Sequence, residues 1–160
     1  LLISSLIVNS DSKIINTVTT YQFDFDRTQD SNFQTTAYQT VLIQPSDSLF
    51  INFPSAYALT SVSCIISVDF GSQFSPPCTV VGQSVKVNNF ITSASGIGRI
   101  SVWVSNVKNP SPAFTTDYFT GSIGNDSSAS GYFASTIVLQ PGAFTSCYST
   151  FSPTTVNSTA

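Results

Sequence analysis

Apolar and polar positions alternate with a period of two along most of this chain, which is the repeat of a strand with one face buried. Tyr21-Gln22-Phe23-Asp24-Phe25-Asp26 is the plainest case: aromatic rings fall on one parity and polar groups on the other. The pattern starts at Ile14 and gives way to a polar connection at 27–34. A second strand is predicted over 37–44 and ends at the turn Pro45-Ser46-Asp47; a third covers 48–53, with Leu49, Ile51 and Phe53 on one face. In 60–70, Val62, Cys64, Ile66 and Val68 share a face. After the Pro76-Pro77 loop, 78–81 and 84–87 form a short hairpin about the turn Gly82-Gln83. Residues 88–98 are a looser connection in which Phe90 and Ile91 pack. Ile100, Val102 and Val104 point inward from the next strand, leaving Trp103 on the outward parity. Further strands are predicted over 114–123, 131–139 and 143–151.

Roughly nine or ten short strands, with turn signals between them and no helical stretch, make the chain all-β. An antiparallel β-sandwich, of jelly-roll or immunoglobulin-like type, accommodates them; an up-and-down barrel is the runner-up. Residues 14–151 are assigned to this domain and 152–160 to a mobile tail.

The first eight residues break the pattern. Leu1, Leu2, Ile3, Leu6, Ile7 and Val8 make six of eight apolar, at a terminus, where chains usually turn polar. Residues 9–13 then form a tether with no apolar side chain. Residues 1–8 read in three ways: an edge strand folded back on its own domain, the end of a signal segment, or a strand that leaves its own domain for a neighbour's. The last is the leading expectation, making 1–13 a donor strand and tether. Eight extended residues reach roughly 25 Å and the tether adds about 16 Å. Strand addition satisfies an open sheet edge, and a head-to-tail contact propagates into a helical filament.

Composition narrows the setting. Lys and Arg total 5 and Asp and Glu 8, for a net charge of −3, and charged residues are 8% of the 160. The five cations are scattered, which argues against a nucleic-acid partner. Ser (28) and Thr (19) are abundant while His and Met are absent, so solubility rests on hydroxyls and on attached sugar. No run approaches the roughly 20 apolar residues of a membrane span. The absence of a start Met suggests a mature chain or a fragment.

Three cysteines, Cys64, Cys78 and Cys147, leave one over after any single bridge. Cys64 with Cys78 is the favoured pair, closing a loop of about 14 residues and contributing roughly 3 kcal/mol; three free thiols are the alternative. Asn125-Asp126-Ser127 and Asn157-Ser158-Thr159 are glycosylation sequons, whereas Pro110 disqualifies Asn109-Pro110-Ser111.

Catalytic chemistry finds little support. With no His, neither a Ser-His-Asp nor a Cys-His arrangement can form. Asp24 and Asp26 share a strand face about 7 Å apart, a separation suited to a glycosidase, yet a solvated strand face explains them more simply. Asp24, Asp26 and Asp30 lack the spacing of an EF-hand calcium loop. No enzyme, metal site or cofactor is expected.

Residues 41 to about 125 resemble a repeated domain of very large secreted and surface proteins of ciliated protists. The resemblance lies in Leu49-Phe50-Ile51-Asn52-Phe53-Pro54, the Cys64 and Cys78 pair, Val81-Gly82-Gln83-Ser84-Val85-Lys86-Val87, Arg99-Ile100-Ser101-Val102-Trp103-Val104, and Val107-Lys108-Asn109-Pro110. It implies a small β-sandwich with a Cys64–Cys78 cystine, in chains that coat cells or build fibres. Only one copy is present here.

The resulting expectation is a secreted structural subunit that polymerises with copies of itself by inserting its N-terminal strand, carries covalent glycans and acts outside the cell. The alternative is a monomeric adhesin or carbohydrate-binding module using exposed aromatics such as Trp103. A capsid-type jelly roll is a third reading.

Overall fold

The computed structural model describes residues 5–26, 43–93, 98–124 and 134–142. Within them lie nine strands: β1 (Ser5–Ser10), β2 (Val18–Asp26), β3 (Ser48–Asn52), β4 (Ser63–Val68), β5 (Cys78–Val81), β6 (Ser84–Val87), β7 (Arg99–Lys108), β8 (Phe119–Gly124) and β9 (Ala134–Ser135). They form two antiparallel sheets, ordered β1-β2-β7-β4 and β5-β6-β3-β8-β9. No helix occurs among the described residues. The fold is an antiparallel β-sandwich.

Strand parity decides which side chains meet between the sheets. From one sheet come Tyr21, Phe23 and Phe25 of β2, Ile100, Val102 and Val104 of β7, and Cys64 and Ile66 of β4. From the other come Leu49 and Ile51 of β3, Val85 and Val87 of β6, and Phe119 and Ile123 of β8. At one end of this core Tyr21, Phe23, Phe53, Tyr57 and Phe119 interlock, with Phe53 and Phe119 edge to face at 5.4 Å. Such pairs add about 0.5–1.5 kcal/mol each beyond their buried area. At Gly121 of β8 the Phe25 ring fills the space of a side chain: a Cβ there would lie 2.0 Å from a ring carbon. In the β5–β6 hairpin, Gly82 takes φ 61° at the first turn position, as a type II′ turn requires.

Strict alternation breaks near the end of β7. Between Tyr21↔Val104 and Thr19↔Val107 the β2–β7 register slips by one residue, and Asn106 sits there at φ 67°. This β-bulge inverts the parity of the residues after it. Without it Lys108 would point inward; with it Lys108 is exposed while Val107 and Asn109 are buried.

The predicted strand over 37–44 lies outside the described residues except for Ile43, which is buried, and Gln44. The predicted strand over 143–151 and the tail 152–160 also lie outside them. The strand predicted over 114–123 begins only at Phe119, because 114–118 make a single bridge, Thr115 with Val138.

Candidate functional site

The N-terminal strand carries the main functional expectation, and its placement needs a correction. Leu1, Leu2 and Ile3 lie outside the described residues, but β1 pairs with β2 of the same chain from Ser5↔Asp26 to Ser10↔Tyr21. Leu6 and Val8 are each 6% exposed and belong to that chain's own core, while Ile7 points outward and is 49% exposed. Apolar residues on the inward parity found room at home, so β1 is the sheet's own edge strand.

Nor is the segment after it a free tether. Asn109, delivered inward by the bulge, donates from Nδ2 to the carbonyls of Ser12 (2.9 Å) and Ile14 (2.8 Å). Its own N–H donates to the carbonyl of Thr17 at 2.9 Å. Asp11 N–H bonds the Thr20 carbonyl (3.0 Å), Ile15 N–H bonds the Gln140 carbonyl (2.9 Å), and Gln140 N–H bonds the Lys13 carbonyl (2.8 Å). The polar composition of 9–13, which suggested a leash, instead provides partners for a clasp.

Asn109 is 2% exposed, and its Oδ1 accepts from the Tyr21 phenol. Because Tyr21 gives its proton to Asn109, the Tyr57 phenol donates to Tyr21, 2.6 Å away. Burial pushes both phenols above the usual tyrosine value; for Tyr57, donation to Tyr21 pushes further in the same direction. Gln83 holds the loop that carries Tyr57, donating to the carbonyls of Pro54 and Tyr57 at 2.8 Å each. Sequence reading missed this network. Its one sign is the proline that spoils the Asn109 sequon, which leaves that asparagine available for a buried role.

On the opposite flank a disulfide joins Cys64 in β4 to Cys78 in β5, one strand from each sheet, with Cα atoms 6.2 Å apart. The pairing matches the expected one. Cys147 lies outside the described residues, as do the sequon residues Asn125 and Asn157.

Asp24 and Asp26 do share the outer face, but neither is a free carboxylate. Arg99 reaches Asp24 at 3.3 Å and Asp26 at 3.7 Å, and Gln22 donates to Asp24 at 3.2 Å. A cation from the chain's own β7 thus occupies the position a metal ion would need. Asp30 lies outside the described residues, among which no group of three metal-ligating side chains occurs. The Arg99 guanidinium also lies 5.2 Å above the ring of Phe70, itself 81% exposed. Trp103 is half-buried on this face, in register with Gln22 on one side and Ile65 on the other.

No protein-family model matches the chain, and no curated protein does. Among solved structures, the N-terminal domain of a Streptococcus gordonii adhesin is similar, with TM-score 0.51 and 12% identity over 86% of this chain. The match spans 33% of that adhesin chain. The bacterial hydrophobin BslA gives TM-score 0.46 and 15% identity, covering 86% of this chain and 98% of its own. A group B streptococcus pilus backbone protein gives TM-score 0.45 and 14% identity, covering 84% and 57%. At such identities the likeness to the adhesin domain is one of β-sandwich fold.

Proposed function

We propose that this chain is an extracellular, non-enzymatic β-sandwich module of a surface or fibre assembly, built to hold its shape and to associate with its own kind. The observation that carries this reading is the cystine between β4 and β5. It pins one flank of the sandwich, while β1 and its clasp close the other. Structural disulfides persist where the surroundings are oxidising, as outside the cell. The resemblance of residues 41–125 to coat and fibre domains of protists, and the sandwich shared with an adhesin domain, point the same way. N-linked sugar on Asn125 and Asn157 belongs to the same reading.

Head-to-tail donation of 1–8 would place β1 on a neighbour's β2 in the same register. It would first have to open the bonds that Asn109, Thr20 and Gln140 make to the 11–17 segment. It is therefore a slow exchange, and we place the working contact at the edge that β1 leaves open.

One observation favours a second reading, an adhesin: Trp103 lies half-buried on an outer face between Gln22 and the exposed Ile65, an aromatic ring open to a ligand. Change in Trp103 fluorescence on titration with oligosaccharides checks that reading.

Antibody labelling of intact cells, with non-reducing peptide mapping of the recovered protein, tests the main one. Label on unpermeabilised cells together with an oxidised Cys64–Cys78 peptide is the expected result. Label that appears only after permeabilisation, with both thiols reduced, would overturn it.

A further inference from the structure

We propose that the free edge of β1 is a self-association site, where β1 of one copy pairs antiparallel with β1 of a second copy about a two-fold axis centred on Ile7. This deepens the proposed function and rests on it. Among the described residues the sandwich has four edge strands, and three are blunted. The outer side of β4 is taken by Phe74, which exchanges two main-chain bonds with Ile66 (2.8 and 3.0 Å). β5 is four residues long, follows Pro76 and Pro77, and is tied through Cys78. β9 is two residues long.

Among the described residues, β1 has none of these protections. Its sequence, Ser-Leu-Ile-Val-Asn-Ser, contains no charge, proline or glycine, and no register shift interrupts its ladder with β2. Unprotected edges of this kind are templates for another strand.

The ladder fixes what the edge presents. The Asp11 N–H bonds the Thr20 carbonyl, which sets the phase of an antiparallel pair. Odd residues therefore turn their main-chain groups toward β2. Leu6, Val8 and Ser10 turn theirs to the free side.

Several registers keep inward residues inward, and the one centred on Ile7 sets both apolar inward residues against apolar partners. Leu6 then stands opposite the second copy's Val8, and Val8 opposite its Leu6, giving four main-chain bonds. Ile7 meets Ile7 as a non-hydrogen-bonded pair, the closer-spaced kind, with Cα atoms about 4.5 Å apart. Ser5 stands opposite Asn9. Apolar positions meet apolar ones, polar meet polar, and the exposed face of Ile7 is covered.

Charge does not oppose the contact. Asp11, one residue past β1, would lie about 27 Å from its counterpart across the two-fold, and Asp24 and Asp26 on β2 are paired with Arg99. The two β2 strands would be about 14 Å apart, beyond the screening length of about 8 Å at physiological salt. This self-complementarity is why the occupant is a second copy rather than an unrelated strand.

Site-directed cross-linking reads the register. In a background with Cys147→Ser, Ile7→Cys places two thiols within the span of a disulfide, whereas Asn9→Cys places them several residues apart. On mild oxidation of the full chain, Ile7→Cys should give covalent dimer at least tenfold faster than Asn9→Cys. Sedimentation should show reversible dimer in the parent chain, weakened at least tenfold by Ile7→Lys. Ile7 is outward-facing, so both substitutions leave the core untouched, and circular dichroism checks this. Equal cross-linking of both cysteine variants, or a parent chain that stays monomeric, overturns edge pairing. A dimer that forms but does not cross-link through position 7 also overturns it, and points to strand exchange. Surface labelling of intact cells is read separately, so labelled cells with a monomeric chain would sink edge pairing while sparing the proposed function.

Discussion

Asn109 and Ser12 are 97 positions apart in the chain, yet the side-chain amide of one donates to the carbonyl of the other at 2.9 Å. Through this bond the end of β7 holds the segment after β1. The same amide oxygen takes the Tyr21 proton, so one residue serves both the aromatic core and the clasp.

Replacing Asn109 with Ala removes acceptor and donors together. The Tyr21 hydroxyl loses its acceptor, and the Ser12 and Ile14 carbonyls keep only the bonds from Ser10 and Thr17, at a cost of about 1–3 kcal/mol in urea unfolding. Proteolysis within 11–17 should quicken as well. An unchanged midpoint with an intact 11–17 segment would show that the clasp is held by other contacts.

Reduction of the Cys64–Cys78 bridge, or Cys64→Ala with Cys78→Ala, should lower stability by about 3 kcal/mol, the value for a loop near 15 residues. Comparing denaturation of the oxidised and reduced protein measures it. The fold should persist, because neither cysteine belongs to the interlocked rings of Tyr21, Phe23, Phe53, Tyr57 and Phe119.

Gly121→Ala should cost about 3 kcal/mol, since the new methyl overlaps the Phe25 ring and the sheets must separate to admit it. Pairing it with Phe25→Leu should recover part of the loss. A neutral Gly121→Ala would mean the two sheets pack farther apart at this point.

Alkaline pH probes the tyrosine pair. Both phenols have folded-state values raised by burial above the usual value of about 10, so the folded protein keeps protons that the unfolded chain releases. Stability is therefore fully present below about pH 10 and declines above it. Tyr57→Phe should remove one share of that slope, measured as unfolding free energy against pH.

Much of this fold was legible because alternation is local. Tyr21, Phe23 and Phe25, Leu49, Ile51 and Phe53, Cys64 and Ile66, and Ile100, Val102 and Val104 are inward as their parity required. The hairpin about Gly82 and the Cys64–Cys78 pairing could be read for the same reason. What escaped reading depends on partners far along the chain. The bulge at Asn106 involves no glycine and leaves no local mark, so the inward turn of Asn109 was hidden. Parity placed Asp24 and Asp26 on one face but could not say that the neighbouring strand would bring Arg99 to them. A run of apolar residues at a terminus says that something must cover it; only the register with β2 says that Leu6 and Val8 are covered by their own sandwich.

Residue-resolved amide exchange, at a dilution where the chain sediments as a monomer, tests that central placement. The N–H groups of Ile7 and Asn9, which face β2, should be protected alongside those of Phe23 and Val102. Those of Leu6 and Val8, which face the free edge, should exchange freely at that dilution and become protected as concentration rises. Open-chain exchange of all four β1 amides while Phe23 and Val102 stay protected would contradict the account, because β1 would then not be part of its own sheet.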